Sequence, residues 1–277
     1  MMKKILALML ALLMLLSLAA CSKENEQGEN GEIDLTVSTD ENLFALENGD
    51  QLVYDYVGGD VVILGLQASH TPHAITIPAT VNERKVTQIA AQAFYHMTNI
   101  TGVTLPDGIE KIGDLAFAEC VNLVNINLPN TLYEIGDAAF ANCTALKEIT
   151  YTDPVPTELG AERPDPTLGQ KAFYNCKALY KVTLPDRLAT ISAQAFMSCE
   201  SLIDVVWRAE GKTVGDYAFF GCRRLAGFTF PSIAIELGDY AFANCASITP
   251  PLWKNDAKVG ENAFYVMPVE DTAAAAE

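Results

Sequence analysis

An Ala-Phe pair recurs eight times along this chain, with Phe at 94, 117, 140, 173, 196, 219, 242 and 264. The steps between them are 23, 23, 33, 23, 23, 23 and 22 residues. A fixed period in the twenties marks a solenoid, in which each repeat is one small structural unit. A unit of that size cannot bury its apolar face alone, so each repeat must stack on the next to make a core.

The rest of the unit keeps the same period. In the second repeat Ile112-Gly113-Asp114 leads to Ala116-Phe117, then Cys120, Leu123, Ile126, Leu128 and Pro129. The sixth reads Val214-Gly215-Asp216, Ala218-Phe219, Cys222, Leu225, Phe228 and Phe230-Pro231. The end of each unit has the two-residue alternation of a short strand, and Pro closes it. Phe, Cys and Leu stand three apart, which predicts one face of a short helix. Ala fits where that helical side comes too close to the sheet for a larger group. Gly stands four residues before Phe in six of the eight repeats, which predicts a tight turn. Asp114, Asp137, Asp216 and Asp239, three before Phe, predict helix N-caps. The same row could be imagined as paired catalytic carboxylates, but caps explain the spacing without chemistry.

The unit L-x-x-I-x-L-P-x-x-(L)-x-x-I-G-x-x-A-F-x-x-C resembles the BspA-type leucine-rich repeat of bacterial surface proteins. The opening AITIPATVNERKVTQIAAQAF is similar to the way such arrays begin. The resemblance covers roughly residues 75–267. It implies a surface or adhesive role on an α/β leucine-rich-repeat solenoid of about eight 23-residue rungs, with no catalytic residues to carry over. Two departures stand out. A ten-residue insertion falls around 152–167 and brings four prolines. The eighth rung stops near Met267 without its strand, and EDTAAAAE follows as an expected frayed tail at 269–277.

Ahead of the repeats, QLVYDYV-GGD-VVILGLQ alternates around a Gly-Gly turn and predicts a β-hairpin, the core of an N-terminal cap over 41–78. The solenoid is then expected over 79–268. The extreme N-terminus differs in kind. Lys3 and Lys4 precede an uncharged run from Ile5 to Leu16, which reads as a secretory signal peptide at 1–20. Leu18-Ala19-Ala20-Cys21 resembles a bacterial lipobox, in which Cys21 is lipidated and becomes the new N-terminus; the other reading is an ordinary cleaved signal with an incidental Cys. Residues 21–40 then form the lipidated Cys and a polar tether, reaching roughly 20 Å over its eleven most polar residues. The expected location is the outer face of a cell membrane, with the membrane itself held through the lipid.

Charge narrows the partners. The formal net charge is −17, and loss of the leader lysines moves it to about −19. Such a surface repels nucleic acid and anionic lipid headgroups. No acidic loop has the EF-hand pattern, so acidity alone does not imply calcium.

The six ladder cysteines, 120, 143, 176, 199, 222 and 245, all fall three after Phe. Export and an even count would allow disulfides. Met97 and Met267 fill the equivalent places, however, and stacked equivalents point the same way rather than at one another. Buried free thiols are the expected state, and without a C-x-x-C pair zinc is weaker still. HTPH places His70 near His73, but two ligands in a loop make a poor metal site. Trp207 holds an inward strand place and belongs to the core.

What remains is surface. Outward strand positions are expected at Thr101, Gly102, Thr104; Val124, Asn125, Asn127; Lys147, Glu148, Thr150; Tyr180, Lys181, Thr183; Ile203, Asp204, Val206; and Ala226, Gly227, Thr229. Asn125, Asn127, Tyr180, Lys181 and Thr183 are the candidate ligand contacts. The bland alternative is a merely soluble face. The expected function is a non-catalytic, lipid-anchored module that binds a protein or glycan, with no cofactor and no metal. Two alternatives stay open: an envelope scaffold, or a hydrolase with its site at the Pro-rich insertion.

Overall fold

The computed structural model describes residues 42–68, 71–151, 164–207, 213–228, 236–249 and 257–267. All belong to one unit, Asp40–Glu277. The leader, Cys21, the tether, most of the insertion, Thr229 and the tail at 269–277 lie outside the described residues.

The cap is a β-meander. β1 (Asn42–Ala45) pairs antiparallel with β2 (Gln51–Val57), and β2 with β3 (Asp60–Gln67). Gly58 and Gly59 make the turn at φ +63° and +98°, a pair of angles that glycine adopts without strain. β3 then pairs parallel with β6 (Arg84–Ile89), so the cap continues directly into the array. A second small hairpin joins β5 (Thr80–Val81) to β6 through Asn82 and Glu83.

Among the described residues, the rungs contribute short strands to two rows. One row holds β6, β8 (Lys111–Ile112), β10 (Glu134–Ile135) and β12 (Thr167–Leu168), then β14 (Thr190–Ile191), β16 (Thr213–Val214), β18 (Glu236–Leu237) and β19 (Lys258–Val259). The other holds β4 (His73–Thr76), β7 (Ile100–Thr104) and β9 (Asn125–Ile126), then β11 (Glu148–Thr150), β13 (Lys181–Thr183), β15 (Asp204–Val206) and β17 (Gly227–Phe228). Pairing within the rows is parallel, with equivalent residues opposite one another. The insertion does not disturb this register. Glu134 still faces Thr167, and Glu148 faces Lys181.

The third side of each rung is where expectation and structure part. Among the described residues there is no helix, and the expected α/β unit is an all-β solenoid with a turn at that place. The reason lies in the backbone. Around seven of the eight Phe residues, the positions two before and two after have positive φ, as at Leu115 (56°) and Glu119 (63°) around Phe117. A left-handed residue every fourth position forbids an α-helix. Hydrogen bonding alternates instead. Phe94 N–H donates to Ala116 O in the next rung at 2.7 Å, whereas Tyr95 N–H donates back to Gln92 O at 3.0 Å. The spacing of three that looked helical is the spacing of these turns.

The Asp row is corrected with it. Asp114 Oδ1 accepts from Asp137 N–H at 2.7 Å, and Asp137 Oδ1 accepts from Gln170 N–H at 2.7 Å. Asp216 and Asp239 do the same for Asp239 and Glu261. These carboxylates cap the next rung rather than a helix. The glycines four before Phe are corrected too. A Cβ at Gly113 would meet Ala91 N at 2.5 Å, and one at Gly169 would meet Gly136 C at 2.3 Å. Close approach of adjacent rungs requires them, not a positive φ.

The core is one continuous stack. The rings from Phe94 to Phe264 lie face to face, with centroids 4.8 to 5.4 Å apart and planes within 10°. Eight rings leave seven turns of about 23 residues between them. The Ala before each Phe is buried, as are Leu123, Leu146, Leu179, Leu202 and Trp207.

Candidate functional site: the exposed strand face

The row from β7 to β17 presents one side to solvent in columns, one residue per rung. Its first column runs Thr101, Val124, Lys147, Tyr180, Ile203 and Ala226. Tyr180 and Ile203 are 42% and 40% exposed, large apolar groups side by side on neighbouring rungs. The second column runs Gly102, Asn125, Glu148, Lys181, Asp204 and Gly227, and strand register aligns Glu148, Lys181, Asp204 and Gly227.

Glu148 organises the middle of this face. Tyr180 Oη donates to Glu148 Oε2 at 3.0 Å, and Lys181 Nζ lies 3.6 Å from Glu148 Oε1. The hydrogen bond to the Glu148 carboxylate, and then its negative charge, push the Tyr180 phenol above its ordinary pKa. Asp204 leans over its neighbour, so that a Cβ at Gly227 would stand 2.4 Å from Asp204 Oδ1. Glu148 and Lys181 therefore compensate one another while Tyr180 and Ile203 stay open.

The other candidates fall into place less simply. Asn125 is exposed and aligned with Gly102. Asn127 is exposed, but its amide is engaged: Oδ1 accepts from Leu105 N–H at 2.7 Å and Nδ2 donates to Leu105 O at 2.8 Å. Thr183 is half-buried, between Thr150 and Val206. The sequence placed Glu148 outward but not among the candidate contacts, because its role depends on partners 32 and 33 residues away.

The ladder cysteines are free and buried. Burial pushes the Cys120 and Cys199 thiols up to about 12 and the Cys143, Cys176 and Cys222 thiols well above their ordinary range. His73 has both ring nitrogens engaged, Nε2 2.5 Å from Asp50 Oδ2 and Nδ1 2.7 Å from Thr71 O. His70 lies outside the described residues. Among the described residues no group of three His, Cys, Asp or Glu side chains is arranged to hold a metal ion.

Parallel rungs closed by a phenylalanine stack, with an open columnar face, define a leucine-rich-repeat solenoid. A family model for the BspA type leucine rich repeat region matches residues 73–160 and 166–269 in six copies, more than half of the chain, so the protein belongs to that family. Solved structures agree on the fold. The leucine-rich repeat protein TpLRR of T. pallidum superposes with a TM-score of 0.62 at 26% identity, over 72% of this chain and 88% of that one. A leucine-rich repeat protein from Eubacterium ventriosum gives 0.53 at 21% identity, over 69% and 58% of the two chains. One from Bacteroides ovatus gives 0.51 at 23% identity, over 77% and 67%. The last two speak to the fold alone. No curated protein matches the chain.

Proposed function

We infer that this chain is a non-catalytic binding module, displayed on the outer face of a bacterial membrane through a lipidated Cys21, that grips a ligand with its strand face. The observation that carries the reading is the exposed Tyr180–Ile203 pair beside the Glu148–Lys181 ion pair. Aromatic and aliphatic anchors framed by compensated charge are the composition of a recognition surface. Ile203 beside Tyr180 fits an apolar side chain better than a sugar ring, so a protein ligand is favoured over a glycan. The leader and the Leu18-Ala19-Ala20-Cys21 sequence support export and anchoring. Membership of the BspA-type family supports a scaffold whose chemistry is contact rather than turnover.

The test is photocrosslinking on intact cells with a photoreactive residue at Ile203. Capture of a distinct partner, lost on Tyr180→Ala, supports the reading. A partner from the same cell's envelope would make the module a scaffold, and one from another cell or its matrix an adhesin. Crosslinking that is uniform over the surface, with Tyr180→Ala unchanged, overturns it.

A further inference from the structure

A groove of about 470 Å³ lies at the cap end of the array, between Phe44, Ala45 and Leu46 on one side and Ala74, Thr76 and Pro78 on the other. Both walls are strand edges. Among the described residues β1 pairs only with β2, and β4 only with β7. The N–H groups of His73, at the start of β4, and of Ile77, just past its end, donate to Asn99 O and Thr104 O, each at 2.9 Å. Main-chain groups alternate sides along a strand, so those of Ala74 and Thr76 point to the groove. Just past β1, Leu46 N–H donates to Asp50 O at 2.8 Å, which by the same alternation turns the main chain of Ala45 outward. The β4–β7 register slips between His73 and Ala74, at the groove itself. Such bulges collect where an edge serves a purpose other than regular pairing.

The two walls are tied together. Asn48 lines the groove, and its Nδ2 donates to Asp50 Oδ2 at 2.8 Å. The same oxygen meets the ring of His73, the residue before Ala74. The groove's width is thus set before anything enters, which lowers the ordering cost of binding.

We propose that this groove takes an extended cationic segment of a partner protein as an added β-strand along Ala74 and Thr76. Main-chain bonds supply the affinity, and Phe44, Leu46 and Pro78 receive the alternate apolar side chains. The charge follows from the lining. Glu47 is its one charged residue and is exposed, on a chain of formal net charge −17. The surface is separate from the Tyr180–Ile203 face, so the two readings stand or fall apart.

The experiment titrates the full chain with a capped heptapeptide of alternating lysine and valine, followed by fluorescence anisotropy and amide exchange. Saturable one-to-one binding, with exchange slowed at Ala74 and Thr76, is the expected result. A peptide N-methylated at alternate bonds, and the variant Ala74→Arg, should each bind at least about tenfold more weakly, the scale of losing a few main-chain bonds or the cavity. Tyr180→Ala should leave binding unchanged. Absent binding, equal binding of the N-methylated peptide, or protection elsewhere on the chain would overturn the proposal, whether or not Ala74→Arg folds. Self-association that protects the same two amides would assign the groove to a second copy and overturn it too.

Discussion

Cys143 Sγ donates a hydrogen bond to the carbonyl of Phe117 in the preceding rung, 3.1 Å away. The same carbonyl accepts the Cys120 N–H at 3.2 Å, so both of its lone pairs are occupied. The bond repeats from Cys120 to Phe94 and on to Cys245 and Phe219. The slot thus wants apolar bulk and an S–H donor together. Methionine serves where the bond is not made: Met97 stands in the rung that begins the stack, and Met267 is 57% exposed.

These thiols should be inert while the chain is folded. The thiolate is the reactive form, and burial holds Cys120 and Cys199 at about 12 and pushes Cys143, Cys176 and Cys222 well above their ordinary range. A chromogenic disulfide reagent at pH 8 should release no colour from the native protein. In denaturant it should count six thiols if Cys21 is blocked and seven if it is free. Rapid native reaction, or a low count that a reductant raises, would mean that the ladder is open or oxidised.

The phenylalanine stack predicts position-dependent losses. Phe140 is fully buried between two rings, at 5.3 and 5.1 Å. Phe140→Ala should cost about 3–5 kcal/mol in a denaturant series. Phe264 has one described ring neighbour and is only partly buried, so Phe264→Ala should cost much less. Equal losses at both sites would count against nearest-neighbour coupling between rungs.

Glycine at 136 should be intolerant of the smallest addition. A Cβ there would stand 2.6 Å from Asp114 N, a backbone atom that moves only if the rung spacing opens. Gly136→Ala should destabilise by about 1–3 kcal/mol, the usual cost of overpacking. A neutral result in thermal or urea melts would show that the rungs separate easily.

Period and stacking were legible in the sequence because they repeat: Phe, Cys and Leu at fixed places, and Pro after the strand. The turn was not. Positive φ at Leu115 or Ala138 leaves no trace in residue type, since neither side chain favours that region. The helical reading of Asp114 failed for the same reason, as its acceptor role runs to Asp137 on the next rung. On the exposed strand face, Tyr180 could be placed by alternation. That Asn127 clasps Leu105 could not be, because only the relative height of two rungs decides it.

The Asp row separates capping from catalysis. Asp137→Asn keeps an oxygen for Gln170 N–H, whereas Asp137→Ala leaves that donor without its 2.7 Å partner. The alanine variant should lose about 1 kcal/mol and the asparagine variant less. Equal stability losses for both, measured by urea unfolding, would remove the capping account.

His73 makes stability depend on pH. Both of its ring nitrogens face acceptors, so the doubly protonated ring suits the site. The Thr71 carbonyl, and then the Asp50 carboxylate, push the His73 pKa above its ordinary value, with burial opposing them. A folded-state pKa above the unfolded one means that the native chain holds this proton longer. The contribution is therefore complete below about pH 6.5, the unfolded value, and is lost as pH rises through the higher folded value. Urea midpoints should fall across that window in the natural chain, and the fall should shrink in His73→Gln, which does not titrate. The two proteins differ at this one residue, so the difference between the two profiles isolates His73. Parallel profiles would show that the pair with Asp50 is not formed in solution.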